Sequence, residues 1–322
     1  EEKPNFHIAA AGSLLGVAVN RTNYSFPVGK VEILELYPLD FEEYLWSLNQ
    51  EKAVNMIREC FDHNQQCPLH NNFLDFYKNY LFTGGMPQVV KEFSGSGDHN
   101  FVVALQKNIN DAYIADMAKY AIASETVRIM AAYNSIPAQL AKENKKFQYK
   151  TIKSGARASQ FETALDWLSA SGIAIKCSKI NRGIFPLASW EEKSSFKIYM
   201  NDTGLLCSTY GSSHSAITAE IRGFETVKGA LAENYVASTL VSNGYKLFYW
   251  ESKGKAEVDF VIQNQSGEVV PIEVKSSENV KSKSLNQFIL KYHPSWSVRV
   301  SRKNFGFENN IKSVPLYAAF CM

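Results

Sequence analysis

The chain has 322 residues, 45% of them hydrophobic and 20% charged, an ordinary globular composition with room for two or three domains. Its net charge of +2 is too small to draw a polyanion to the whole molecule, so any nucleic-acid contact must come from a local patch. The five cysteines (Cys60, Cys67, Cys177, Cys207 and Cys321) are scattered without a CxxC, which argues against a zinc site or disulfide framework and for reduced thiols in the cytoplasm. No apolar run reaches the ~18–20 residues of a membrane helix, and no signal peptide precedes the first element. A cytoplasmic protein with no membrane partner is expected.

Residues 6–11 read as a buried strand, followed by Gly12-Ser13 and a short helical turn through Leu14, Leu15 and Val17. The chain opens at Glu1 without a methionine and enters this apolar run almost at once, so a preceding portion is expected to be missing. Val28 to Leu36 alternates and leads to Pro38. Asp40-Phe41-Glu42-Glu43 then has the form of a capping box, with Asp40 as N-cap and Glu43 three residues into the helix. Phe41, Tyr44, Leu45 and Leu48 form the apolar stripe of that helix. Most of 41–120 is expected to be helical. Gly84-Gly85 reads as a turn ahead of Pro87, and Glu92 to Asn100 as a polar hinge loop.

From 121 to 206 the pattern suggests three helices and a hairpin, the plan of a winged helix-turn-helix. The first helix lies near Glu125–Tyr133, the second starts with Ser135 as N-cap and Pro137 in its first turn, and the third runs from about Ser159 to Ala170. Strands Ile173–Cys177 and Gly183–Leu187 would form the wing, and Phe196–Met200 a further strand. Asp202 is expected to cap or turn the chain, and Cys207 to Phe224 to be a linker. Lys142, Lys145, Lys146, Lys150, Lys153 and Arg157 face a single acid, Glu143, and Lys176, Lys179 and Arg182 extend the basic set onto the wing. That set is either a DNA-contacting patch, in which each cation meeting a phosphate releases counterions, or a solvated face on a module that binds a protein partner. Arg157, Ser159, Gln160 and Thr163 are the side chains that the third helix would turn to a groove.

Glu225 to Asn243 reads as a helix whose small-residue face carries Glu233, a carboxylate that must be paired, bound to a metal or placed where it reaches water. Tyr245–Trp250 is a strand. Glu257 to Lys275 is a β-hairpin turning at Gln265-Ser266-Gly267, in which Val258, Phe260 and Ile262 alternate with Glu257, Asp259 and Val261. A turn centred on Ser266 places Asp259 opposite Glu273 and Glu257 opposite Lys275, with Cβ atoms about 4.5–5.5 Å apart. Alternating charges are also what a half-exposed hairpin shows, and Glu257–Lys275 would serve equally as a surface ion pair. Two facing carboxylates repel unless a cation lies between them, and oxygen-only ligands suit Mg²⁺. Ser284–Tyr292 is a helix and Ser297–Ser301 a strand.

Two resemblances attach to these residues. Asp259 with Glu273-Val274-Lys275 resembles the second and third motifs of the PD-(D/E)xK nuclease superfamily, and LAENYVA around Glu233 resembles the glutamate-bearing first helix of that fold. The resemblance implies that Glu233, Asp259 and Glu273 hold Mg²⁺ and that Lys275 orients the nucleophile or neutralises the phosphate. Gln287 resembles a further catalytic residue of one branch, and it is also the third member of a capping box begun by Ser284. HIAAAGSLLGV, SFPVGKVEILELYPLDFEEYL and YLFTGGMPQVV resemble the segments after the Walker B strand in prokaryotic AAA-type ATPases that carry a C-terminal domain of unknown function. That likeness implies a nucleotide-facing role for Ser13, Arg21 and Lys30, although Ser13 reads equally well as a helix N-cap.

The whole likeness implies a multidomain α/β chain: the end of an AAA ATPase core (1–40), a helical lid (41–120), a winged helix-turn-helix domain (121–206) and a nuclease-like α/β domain (220–322). No G-x-x-x-x-G-K-[ST] phosphate loop occurs in the 322 residues, so the chain itself is expected not to hydrolyse ATP, which belongs to a full-length parent. The expected function is a nucleic-acid-associated, ATPase-linked protein whose last domain cuts phosphodiesters with Mg²⁺. The alternative is a non-catalytic DNA- or protein-binding module under the control of the ATPase.

Overall fold

The computed structural model describes residues 9, 11–12, 29–120, 123–219, 223–252, 256–278 and 283–322. Ser13 and Arg21 lie outside these residues; Lys30 is exposed at the start of a stretch, 31–40, with no regular element. The chain is mixed α/β. Among the described residues six helices come first: α1 (Phe41–Ser47), α2 (Glu51–His63), α3 (His70–Thr83), α4 (Pro87–Ser96), α5 (His99–Tyr120) and α6 (Ala123–Leu140). Asp40 caps α1 as expected: its carboxylate accepts from Glu43 N at 2.8 Å, while the Glu43 carboxylate accepts from Asp40 N at 3.0 Å.

The second and third expected breaks are smaller than the sequence suggests. Helix α4 runs to Ser96 and α5 begins at His99, which leaves little of the polar hinge. Helix α6 passes straight through Pro137, and Ser135 does not cap it; its hydroxyl donates to Ala132 O at 2.7 Å. Ile129, Ala132, Tyr133, Ile136 and Leu140 are all buried along one stripe, and that continuous packing outweighs the local preference of proline for a helix start.

Gly84 and Gly85 connect α3 to α4 where the backbone has no room for a side chain. Gly85 O accepts from Leu39 N at 2.8 Å, and Gly85 N donates to the buried Asp202 carboxylate at 2.6 Å. Asp202 also accepts from Leu205 N at 2.7 Å, so it caps the short helix α9 (Thr203–Thr209) while holding the glycine turn. A Cβ on Gly85 would stand 1.9 Å from Leu39 O. Gly85→Ala is therefore expected to lower stability by at least about 1–3 kcal/mol in urea denaturation. Gly95→Ala, where the added methyl meets nothing within 4 Å, is expected not to lower it.

After α6 come α7 (Tyr149–Ile152), α8 (Ala158–Ala170), β1 (Ala174–Ile180) and β2 (Glu191–Met200). The second wing strand expected at Gly183–Leu187 is not formed. Gly183 sits against Phe288, where a Cβ would come within 2.1 Å of the ring, and the chain turns through a cis Phe185–Pro186 bond into a short 3₁₀ turn before β2 begins. The expected linker holds α9 and α10 (His214–Thr218).

The remaining elements are α11 (Glu225–Ser242), β3 (Phe248–Glu251), β4 (Glu257–Gln263), β5 (Val269–Val274), α12 (Lys283–Tyr292), β6 (Ser297–Ser301), β7 (Gly306–Glu308) and β8 (Ile311–Pro315). The eight strands among the described residues form one sheet in the order β2-β1-β3-β4-β5-β6-β8-β7. Parallel pairing of β1 with β3 joins the β1–β2 hairpin to the C-terminal strands. Helix α11 packs on one face of the sheet, and α12 on the other through Leu285 and Phe288.

A single buried cluster extends from Phe41 through α11 to the final 3₁₀ turn, Leu316–Cys321. His70 reaches that end of the chain, with one ring nitrogen 3.0 Å from Tyr317 OH and the other 2.9 Å from Arg302 O. Among the described residues no helix is long and apolar enough to cross a membrane.

Candidate functional site

The hairpin has the expected register. Phe260 faces Ile272, Val261 faces Pro271, Ile262 faces Val270 and Gln263 faces Val269; the next residue of β4, Asp259, meets β5 through its carboxylate, which accepts from Val274 N beside Glu273. Gly267 takes a φ of 82° in the turn. The simple alternation does break in β4. Opposite Phe248–Trp250, β4 spends one residue more than β3, since Phe248 pairs with Val261 but Trp250 with Val258. This bulge separates Val258, which packs with Leu285 and Phe288, from Phe260, which belongs to the main cluster. Asp259 and Phe260 thereby both meet side chains of β2: Asp259 approaches Lys197, and the Phe260 ring lies 5.6 Å from that of Tyr199.

Four carboxylates and three ammonium groups converge here. Glu233, on the sheet-facing side of α11 and 4% exposed, is engaged at both oxygens. Lys145 holds one; Lys197 Nζ, at 3.2 Å, and the Tyr199 hydroxyl, at 2.5 Å, donate to the other. Lys197 is fully buried and also reaches Glu257 at 2.5 Å and Asp259 at 3.9 Å. The second Asp259 oxygen accepts from Val274 N at 2.8 Å. Glu273 pairs through one oxygen with Lys275 at 2.7 Å, while its other oxygen is buried with no hydrogen-bond partner. The cross-strand pair Glu257–Lys275 is not made: Glu257 takes Lys197, and Lys275 takes Glu273.

The electrostatics follow from this imbalance of one extra acid. Burial alone would raise the Glu233 carboxyl, but Lys145 and Lys197 beside it hold it down at about 2. Asp259 has the opposite fate: burial, then repulsion from Glu233 and Glu273, pushes it up to about 8 in spite of Lys197 and Lys275. Burial also raises Glu273 against the pull of Lys275. Burial works against the charged form of Lys197, yet Glu233, Glu257 and Asp259 together keep its ammonium well above the ordinary range.

The other sequence candidates scatter. Gln287 is exposed on α12 and contributes nothing to this network. The basic set divides. Lys145 is spent on Glu233, Lys142 on Thr151, Lys176 on Asp166 at 3.5 Å, Lys179 on Glu192 and Glu251 at 3.5 Å each, and Arg182 lies over the Trp190 ring at 4.5 Å. Lys150, Lys153 and Arg157 remain exposed, with Lys146 half-buried, beside the exposed Ser159, Gln160 and Thr163 of α8.

Lys197 and Tyr199 escaped the sequence reading of Phe196–Met200. The available signal was a lysine inside an apolar strand, two residues from a tyrosine on the same face, which demands a buried partner.

Glu233 has its oxygens filled by lysines and a phenol, so it is an anchor for those cations. Asp259 and Glu273 fit a divalent cation better: they are adjacent, oxygen-only and short of positive charge, and the unpartnered Glu273 oxygen is an open acceptor. Among the described residues, no group of three or more His, Cys, Asp or Glu side chains is placed to hold a metal ion.

No curated protein and no solved structure matches the chain. Two family models match segments of it: a domain of unknown function, DUF8612, over residues 74–216, and a domain of unknown function, DUF4143, over residues 228–319. Lys145, Lys197 and Tyr199 lie in the segment similar to DUF8612, and the four carboxylates with Lys275 in the segment similar to DUF4143, a domain commonly found in AAA-ATPase-associated proteins.

Proposed function

We propose that this chain is the C-terminal part of an AAA-type ATP-binding protein, and that its last α/β layer is a nuclease-like module that hydrolyses phosphodiesters. The observation that carries this reading is the hairpin geometry: the Asp259 carboxylate bonded to Val274 N next to Glu273, an open buried Glu273 oxygen, and Lys275 just past the end of β5. Asp259 and Glu273 would hold one Mg²⁺, which when bound supplies the charge that acidifies an attacking water and stabilises the developing pentavalent phosphorus. Lys275 is partly exposed, so its ammonium can leave Glu273 and neutralise a phosphate oxygen. The Asp259 carboxyl, anchored by Val274 N, would have to give up its proton to serve as a ligand. The match to DUF4143 supports the link to an ATPase.

The test is a nuclease assay on plasmid and single-stranded DNA with Mg²⁺. Wild type is expected to cut, and Asp259→Ala and Lys275→Ala to lose at least about a hundredfold in rate, the scale of one lost electrostatic group. Equal background in all three ends the catalytic reading. DNA retardation without cleavage in the same reactions favours the second reading, a non-catalytic nucleic-acid-binding module. Its supporting observation is the exposed trio Lys150, Lys153 and Arg157 beside α8.

A further inference from the structure

Lys145 marks the outer end of the buried network. Its side chain is 14% exposed and holds Glu233, Glu233 meets Lys197 at 3.2 Å, and Lys197 meets Asp259 at 3.9 Å. The residues after Lys145 are fixed along the strand that carries Lys197. Phe147 N donates to Phe196 O at 2.8 Å, and the two rings stack with centroids 5.3 Å apart, at the end of the sheet that β2 forms. Gln139 of α6 then clasps Gln148, accepting from its N at 3.1 Å and donating to its O at 2.9 Å. Beside this clamped stretch Lys146 is half-buried, and Lys150, Lys153 and Arg157 are exposed. Among the described residues none of these four cations is paired with an acid. The acids of the same region do not cancel them: Asp166 is taken by Lys176 at 3.5 Å, which leaves the exposed Glu143 and Glu162. Because β1 and β2 belong to the sheet that bears Asp259 and Glu273, this basic stretch is part of the site's own wall.

We propose that residues 146–157 form the binding track of a polynucleotide whose scissile phosphate lies at Asp259 and Glu273, with Lys146, Lys150, Lys153 and Arg157 holding backbone phosphates on one side of the cut. That the track ends at a cutting site rests on the function proposed above. A small phosphodiester needs only the cation at its own phosphate, Lys275; four further unpaired cations suit a chain of phosphates. Contacts of this kind fix position and carry no base information, so the track selects a long polyanion and not a sequence. It is supplied by the segment similar to DUF8612 to acids in the segment similar to DUF4143.

Cleavage kinetics with Mg²⁺, and binding by fluorescence anisotropy in EDTA, test this in the full chain on a single strand and a duplex of about 30 nucleotides. Lys150→Ala with Lys153→Ala and Arg157→Ala removes three exposed cations and keeps the Arg157 backbone N that binds Gln160. This triple variant is expected to raise KM at least about tenfold with kcat within about twofold, the pattern of lost uniform binding. Its salt slope of binding should fall by about 2.7 on the duplex or about 2.1 on the single strand, whichever form the track holds. Lys52→Ala with Lys91→Ala and Lys107→Ala removes the same charge from exposed positions on α2, α4 and α5 and is expected to change neither quantity. A triple variant whose KM and affinity equal those of wild type overturns the track and leaves cleavage standing; an equal loss in the control variant overturns it too. If wild type binds but does not cut, the catalytic reading fails alone and Lys275→Ala decides the track. Weaker binding by that variant upholds a backbone that reaches the site, and unchanged binding contradicts it. No binding of either nucleic acid at about 50 mM salt overturns the proposal and leaves the basic stretch to a protein partner.

Discussion

Replacing Lys197 with methionine is expected to lower the free energy of unfolding by about 3–5 kcal/mol at pH 7, the range found when one partner of a buried ion pair is removed. The volume is nearly kept, so the loss is electrostatic. Glu233, 4% exposed, would keep Lys145 and Tyr199 but lose its second ammonium, and Asp259 would lose the nearest positive charge opposite its backbone-bonded oxygen. Lys275→Met should cost far less, about 1 kcal/mol or below, because that side chain is 36% exposed and its pairing is partly screened. The double variant Lys197→Met with Glu233→Gln should lose less than the sum of the two single changes, by about 0.5–3 kcal/mol, since each removes the reason for the other. Urea denaturation of wild type and the four variants measures all of this. Additive losses would show that the contacts seen between Lys197 and Glu233 carry no coupling.

The second large effect is a fall in stability as the solution becomes alkaline. In the folded chain Asp259 keeps its proton to about pH 8, while the unfolded chain releases it near pH 4. Between those values the folded state binds the extra proton, so stability is full at the acid end and is lost as pH rises through 8. Asp40 and Asp202, each pushed up to about 6 by burial, act in the same direction but are exhausted by about pH 6. From pH 6 to 8 the loss comes from Asp259, with Glu273 adding to it in the same sense, while His70 and His214, each lowered by burial, oppose it until the unfolded imidazoles have lost their protons above about pH 6.5. At about 1.4 kcal/mol per pH unit the share of Asp259 there is about 2–3 kcal/mol, read as the difference between wild type and Asp259→Asn. Glu233 works oppositely and elsewhere: held down at about 2, it contributes stability that is lost only as pH falls from about 4 towards 2. Asp259→Asn keeps an oxygen for Val274 N and cannot ionise. It should flatten the curve from pH 6 to 8 and be more stable than wild type at pH 8.5.

What the sequence made legible was local. The Asp40–Glu43 cap, the turn at Gly267 and the pairing of β4 with β5 depend on residues within a few positions of each other, and each formed as expected. The bulge in β4 was hidden, because Val258, Phe260 and Ile262 suit an unbroken alternation as well as a broken one. Pro137 misled because proline marks a helix start by local preference, whereas the buried stripe from Ile129 to Leu140 depends on tertiary packing.

The candidate site was legible on one side only. Its acids lie in motifs of fixed spacing, but their counterions come from Lys145 and Lys197, which are 88 and 36 residues before Glu233. A run such as Lys142 to Arg157 shows charge without showing exposure. The fold spends Lys145 on an internal acid and leaves Lys150, Lys153 and Arg157 outside.

The central claim is that four carboxylates meet three lysines and that the uncompensated charge settles on Asp259. Its most direct test is a ¹³C NMR titration of the Asp259 carboxyl carbon in the full chain, assigned with Asp259→Asn. A midpoint near pH 8 is expected. A midpoint in the ordinary range near pH 4 would contradict it, showing that the lysines already neutralise every acid in the network.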